Sequence, residues 1–422
     1  MNCRALSVLL TLLIFQGALR AQDEAGPQLP IVLEHADSLV GRGPTETAER
    51  SFLGNVRFRQ GNVTVVADRA VHHAALNMVD LLGRVRVTQG NLTIEAPAIT
   101  YNGSTYTAHA GRGVTVREAG RIVKASEARY STKTHIVRFL NNVRLQDDSM
   151  RLVADTLVYD RDANIRSAWG SVVMAARDSS SWLRGDTLIS DAVAGTTVVN
   201  GRAEVWRRED SVYLAAHTLT SVRDTIERYQ ARGDVRLLRG DVAARSDSMV
   251  YDLQRGLVVL RGRPVVWSDS TMLIADSIDI DVPGRKLRSV RGTGSAFMAS
   301  RQDTSRRDRF DQLMGDTIVM HVDADTLRMV EAIGNTRSLY FGSDEGQPQG
   351  LAQFASDTTR ILMVAGTPDD IVWLGGIRGE HHPESIVAGR TESYRLPGFI
   401  WRNDRPVRTL PPDIPFLRDG SM

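Results

Sequence analysis

Gly54-Asn-Val-Arg-Phe-Arg-Gln-Gly-Asn-Val-Thr-Val-Val-Ala-Asp68 carries the pattern that decides the fold. Val56 and Phe58 alternate with Arg57 and Arg59, so the period is two. That places one side-chain set on an apolar face and the other in water, as in a half-buried strand. A Gly-Asn turn follows, and a second apolar run ends at Ala67-Asp68. The same grammar returns in Gly233-Asp-Val-Arg-Leu-Leu-Arg-Gly-Asp-Val-Ala-Ala-Arg-Ser-Asp247.

Working outward, the unit recurs along the chain. Its glycines stand at Gly54, Gly83, Gly111, Gly170, Gly201, Gly233, Gly262, Gly292 and Gly334, about thirty residues apart, with Asn142 in the slot between Gly111 and Gly170. A recurrent aspartate stands at Asp68, Asp155, Asp186, Asp247, Asp276 and Asp316, and its expected role is a turn-former. The pattern predicts an all-β chain of strands about four to six residues long, three or four to each repeat. One repeat cannot bury its apolar face alone, so the repeats are expected to stack around a continuous apolar interior. Val56, Phe58, Val65, Val85, Val87, Leu92, Ile94, Val143, Leu145, Val235 and Leu237 are expected to face inward. Arg57, Arg86, Arg144 and Arg236 are expected to face outward as solubilising charges. Met174, Trp182, Trp206, Trp267 and Met272 also read as inward-facing.

The 52 basic and 50 acidic residues nearly cancel over 422 residues, which argues against a dedicated nucleic-acid binder. Arg4 followed by the apolar run Leu6 to Phe15, with Ala18 and Ala21 before Gln22, reads as an export signal over residues 1–21. Cys3 precedes that run, so it does not read as a lipid-anchor cysteine. With the signal removed the chain holds no cysteine, hence no disulfide and no thiol chemistry. No Gly-x-Ser-x-Gly elbow, His-Glu-x-x-His or phosphate-binding loop is present. His72-His73, His381-His382 and the group Asp316, His321, Asp323 and Asp325 are weak candidates for a cation; solvated loops and faces explain them more simply. No enzyme, cofactor or metal is expected.

The repeat signature is Gly-x-Val, a turn, then Ala-Asp and an apolar-x-Tyr-Asp strand. It stands at Gly54 through Asp68, at Val143 through Asp155 to Tyr159-Asp160, and at Gly233 through Asp247 to Tyr251-Asp252. In this it resembles the OstA/LptA family of periplasmic lipopolysaccharide-transport proteins. The resemblance covers residues 31–341, about twice the array of a simple member, and is interrupted by the insert Ser300 to Asp311. It implies a slightly twisted, open β-jellyroll of two facing sheets that holds lipopolysaccharide acyl chains between them. It also implies a location in the periplasm, head-to-tail self-association, and contact with other transport components at the sheet ends. A second reading is an exported structural β-solenoid that binds protein or glycan without lipid; a dispersed hydrolase site ranks last. Residues 342–422 read as an extension: strands at Ser356 to Met363 and Ile371 to Leu374 joined by Pro368-Asp369-Asp370, then a proline-rich arm that docks to a partner or trails.

Overall fold

The computed structural model describes residues 30–419 apart from 45–48, 209–210, 224–226, 302–307, 325, 345–346 and 365–366. The export signal and most of the insert after Ser300 lie outside the described residues. The described chain is almost wholly antiparallel β-structure and divides into two units, residues 1–195 with 412–422, and residues 196–411. No helix among the described residues is long and apolar enough to cross a membrane.

Unit 1 contains β1 (Val32–His35), β2 (Ser38–Arg42), β3 (Glu49–Gln60), β4 (Val63–His73), β5 (Met78–Gln89), β6 (Leu92–Asn102), β7 (Thr107–Gly111), β8 (Val114–Glu118), β9 (Arg121–Ala125), β10 (Glu127–Ser131), β11 (Ile136–Gln146), β12 (Met150–Asp160), β13 (Ile165–Ala176) and β14 (Ser181–Asp191). Unit 2 contains β15 (Thr196–Arg207), β16 (Val212–Arg223), β17 (Glu227–Arg239), β18 (Val242–Asp252), β19 (Leu257–Arg261), β20 (Val265–Ser268), β21 (Thr271–Ile274), β22 (Ser277–Asp281), β23 (Ser289–Ser300), β24 (Asp311–Asp323), β25 (Thr326–Asp344), β26 (Gln347–Val364), β27 (Thr367–Leu374) and β28 (Arg378–His382).

The strands are longer than the turn-to-turn reading of the sequence suggests. A typical strand has 11 or 12 residues and is bent at its middle. In β3 the register with β4 shifts between Leu53 and Val56, and the same shift recurs in β5, β11, β13, β17, β23 and β25. Each bend splits a strand into two half-strands that belong to two ladders. The repeat glycines therefore mark bends inside strands, where a bulge re-aims the chain, and do not open separate short strands. Three alignments made from the sequence shift by one or two residues. Asn141 with Asn142 forms one bend and Arg112 with Gly113 another, and the bend assigned to Gly292 lies at Gly294-Ser295.

The recurrent aspartate is not a turn residue. Asp68 lies inside β4, opposite the bend of β5 at Gly83. A methyl group on Gly83 would land on the Asp68 carboxylate. The same juxtaposition joins Asp37 to Gly54, Asp155 to Gly170, Asp247 to Gly262, Asp276 to Gly294, Asp316 to Gly334 and Asp357 to Gly375, while His217 takes the place of aspartate beside Gly233. The next residue at each bend also has positive φ, yet it is Asn55, Arg84, Ser171 or Asp234. Positive φ alone therefore does not select glycine; the carboxylate lying against it does. Where Asn141 replaces glycine, Ser126 replaces aspartate, and Ser126 N donates to Asn141 O at 2.9 Å. The smaller hydroxyl leaves room for the side chain.

The β-structure does not stop at Phe341. β25 runs to Asp344, and β26, β27 and β28 continue the antiparallel pairing to His382. Pro368, Asp369 and Asp370 lie within β27 and do not form the turn. The arm that follows is not a trailing segment. In unit 2, residues 394–411 lie on the outer face of the half-strands that follow each bend. Val387 and Leu396 pack with Phe297, Ala299, Leu339, Phe341 and Leu351. Trp401 packs beside Ala243, Val265, Trp267 and Met272. In unit 1, the terminal helix Pro415–Asp419 places Phe416 and Leu417 against Val173 and Ala175. Arg151 donates to the Leu417 and Arg418 carbonyls, both at 3.1 Å, and Arg144 lies over the Phe416 ring.

A chain of alternating charges pins the arm in unit 2. Arg236 pairs with Asp234, Asp234 with Arg245 at 2.5 Å, Arg245 with Asp404 at 2.7 Å, and Asp404 with Arg402. The Arg402 hydrogen bonds hold the Asp404 carboxyl below the usual carboxylate range. Burial acts to raise Asp234, but the Arg245 and Arg236 hydrogen bonds outweigh it and its value is lowered too. A depressed folded-state value stabilises above the unfolded value and is lost as pH falls through the folded one. The clasp is therefore expected to be intact at neutral pH and to open below about pH 4. Pepsin should cut within residues 396–411 readily at about pH 3 and slowly at about pH 4.5. Asp404→Asn should make the arm labile at both values; equal resistance of parent and variant would count against the clasp.

Candidate lipid site

The inward positions of the half-strands after each bend line up across neighbouring strands. In unit 1, Phe58 faces Val65, Val65 faces Val87, Val87 faces Ile94, Ile94 faces Val116, Val116 faces Val123, and Val123 faces Leu145. Opposite stands a second row from the other half-strands: Leu81, Ile99, Ala110, Ala128 and Phe139, again paired one to the next. Between the rows lies an apolar cavity that is partly open to solvent. Val65, Val87, Ile94, Val114 and Val116 form one wall, and Leu81, Ile99, Ala108, Ala110, Ala128 and Phe139 belong to the other.

The room comes from side-chain size. In the second wall three positions are alanine, where the neighbouring places in the row are Leu81, Ile99 and Phe139. Nearer the chain start the interior is filled instead: the Phe52 and Phe58 rings meet edge to face with centroids 5.2 Å apart. Arg129 lies at the margin of the cavity, and its guanidinium pairs with Glu127 at 2.6 Å. That hydrogen bond, with a smaller contribution from His109, holds Glu127 below its ordinary value.

The residues expected to face inward are placed as follows. Val56, Phe58, Val65, Val85, Val87, Leu92, Val143, Leu145 and Val235 are buried, and Ile94 and Leu237 are half-buried. Val65, Val87 and Ile94 line the cavity, whereas the others fill the interior beside it or in unit 2. Arg57, Arg86, Arg144 and Arg236 are exposed. Arg86 and Arg117 share Glu95 at 2.7 and 2.5 Å on the outer face. Ala108, Ala110 and Ala128 escaped the sequence reading, because an alternation of alanines with polar residues is a weak hydrophobic signal. For Ala108 and Ala110, their place in β7, the strand after Tyr101, was the available clue.

Four large apolar residues lie on the opposite face from the one expected. Trp206, Trp267 and Met272 fall one residue out of phase with the inward Val205, Val266 and Leu273, and Trp182 pairs with the outer Ala175. They are apolar because the carboxy-terminal arm or helix covers them, which period-two reading cannot foresee. Met174 does face inward, opposite Leu152. Of the cation candidates, Asp316 packs on Gly334 and accepts from Asn335 at 3.0 Å. Asp325 lies outside the described residues, and among those described no group of three or more His, Cys, Asp or Glu is placed to hold a metal ion. His72 is buried, and His382 pairs with Glu380 at 3.3 Å and stacks near Tyr394.

Paired half-strand ladders around an apolar interior define a repeat-built, antiparallel β-protein. The pattern of the OstA-like proteins matches residues 28–131, and that of the LptA/(LptD N-terminal domain) LPS transport proteins matches residues 122–284. Together these spans cover more than half of the chain, which belongs to the OstA/LptA-like family. These are transport proteins, and the chain is not an enzyme. No curated protein matches it. Among solved structures it is similar to LptH, the LptA homologous periplasmic component of the lipopolysaccharide transport device from Pseudomonas aeruginosa. That likeness has 15% identity and a TM-score of 0.24, and covers 26% of this chain and 82% of LptH.

Proposed function

We propose that the chain is a periplasmic component of lipopolysaccharide transport that shelters acyl chains between the two walls of unit 1. The single observation carrying this reading is the apolar cavity between the two rows, lined mainly by aliphatic side chains. Burying each methylene there contributes about 0.8 kcal/mol, so affinity grows with the length of acyl chain sheltered and must first offset the cost of association. The family membership supplies the lipid class. No motif for nucleotide hydrolysis stands in the sequence, so movement of the lipid is driven from outside this component.

The test fills the cavity without altering charge. Ala110→Leu puts three more carbons between the walls, where space exists. Binding of lipopolysaccharide, read by displacement of a fluorescent fatty acid, is expected to fall about tenfold, with the melting temperature little changed because the site is not closely packed. Undiminished binding by a folded Ala110→Leu variant would remove the cavity from the reading. Mass spectrometry of solvent extracts from the purified parent is expected to find an acylated amphiphile.

A further inference from the structure

The arm on unit 2 is held in a manner unlike the rest of the chain. Residues 396–411 form no strand, and side chains of the sheet satisfy the arm's backbone. Gln353 donates to the Tyr394 carbonyl at 2.5 Å, and Gln312 accepts from Leu396 N at 2.9 Å. Two indoles donate to arm carbonyls, Trp267 to Arg402 at 3.3 Å and Trp206 to Thr409 at 2.6 Å. The arm in turn sends Arg405 to the Asp269 carbonyl at 3.2 Å and Arg408 to that of Ser211. Phe399 and Trp401 are the aromatic anchors: each stacks on Phe310, at 5.2 and 4.9 Å between centroids. Arg245 with Asp404 fixes the register.

Aromatic sockets, indole donors aimed at peptide carbonyls and an extended segment containing Pro397, Pro406 and Pro411 are the elements by which proline-rich peptides are recognised. We propose that the outer face of unit 2 is a receptor for an extended proline-containing segment, filled here by the chain's own residues 394–411, and that it receives the same segment from a second copy of this chain. Three observations argue for the second copy as the occupant. Without an arm the face would expose Trp267 and Phe297, both packed beside Trp401, and further along it Trp206, apolar surface that does not stay bare in water. The arm makes no strand pairing with its own sheet, so every contact is reproduced unchanged by an arm arriving from elsewhere. Pro397 and Gly398 form a short turn closed by Phe399 N donating to the Leu396 carbonyl at 3.1 Å, with Gly398 at φ +85, so one compact hinge sets the direction in which the arm leaves and a change there redirects it to another copy. A tethered arm competes at an effective concentration of about millimolar, so exchange is expected where copies are crowded or refold together.

The experiment uses the full chain with Cys3→Ser. Arg402 N lies 3.4 Å from Met272 Sδ, so Met272→Cys and Arg402→Cys in separate copies report exchange through a short thiol cross-linker. Copies refolded together at high concentration are expected to give about tenfold more mixed dimer than Met272→Cys with Val407→Cys, whose position is 80% exposed. A second arm of the test needs no cysteine. Arg245→Asp and Asp404→Arg copies each carry like charges at the clasp, whereas their mixture restores attraction between a face and a foreign arm. Dimers on sizing are expected in the mixture and not in either variant alone. Cross-linking at the control level together with a monomeric charge-swapped mixture would overturn the proposal; if one set of variants fails to fold, the other decides.

Discussion

Gly83→Ala is expected to destabilise unit 1 by about 2–4 kcal/mol, summing the cost of a left-handed alanine and that of a forced overlap. The φ at Gly83 is +71°, and the added methyl would meet the Asp68 carboxylate, which Arg84 holds in place with hydrogen bonds of 2.9 and 2.6 Å. Asp68 cannot swing aside without releasing that guanidinium. Gly90→Ala is the control, because φ is +53° there but nothing lies within 4 Å; it should cost about 1 kcal/mol. Asp68→Ala combined with Gly83→Ala should recover part of the loss, the signature of two residues in direct contact. Urea unfolding of the four proteins measures this. A cost at Gly83 no larger than at Gly90 would mean that the carboxylate does not exclude side chains from the bend. The same result is expected at Gly262 and Gly334, whose aspartates are Asp247 and Asp316.

Ile94→Asp should reduce lipopolysaccharide binding at least about tenfold, while Arg86→Asp leaves it within about twofold. Ile94 lies in the cavity wall between Val87 and Val116, so a carboxylate there replaces an aliphatic contact with a charge. A buried unpaired charge costs several kcal/mol, but this cavity is open on one side and an empty site can hydrate it. Binding is therefore expected to suffer more than the fold. Arg86, on the neighbouring strand beside Val87 and on the other face, is exposed and shares Glu95 with Arg117. Its loss leaves Glu95 a partner, and an exposed ion pair contributes at most about 1 kcal/mol. If Ile94→Asp binds lipid as the parent does, the cavity is not the site. If it unfolds outright, the interior is a closed core and the structural-solenoid reading gains.

The inward row was legible because a pleated strand puts alternate side chains on opposite faces. Val56, Phe58, Val143 and Leu145 are buried, and Arg57 and Arg144 exposed, as alternation requires. The thirty-residue period was likewise legible, since at most bends a side chain from the facing strand, usually an aspartate, leaves room only for glycine. Strand length was not: the bend breaks the alternation halfway along, and a reader following the pattern meets an end where the chain only turns. The function of the recurrent aspartate was hidden for a related reason. Its partner glycine is 15 residues later at Asp68 and Gly83, but 18 later at Asp276 and Gly294, so the pair is fixed by strand pairing and not by a constant spacing.

What the sequence determined by itself is the set of short-range choices: which residues alternate, where the chain bends, and that the repeats must share an apolar interior. Only the tertiary structure decided where that interior stays open and what covers the outside. The cavity depends on Ala110 and Ala128 standing across from Val87 and Ile94, a matter of size between strands that no local pattern records. Trp206 and Trp267 break the rule that outer positions are polar because residues 409 and 402, more than 130 positions away, cover them. Alternation reports only that a side chain leaves water; it does not report which surface removes it.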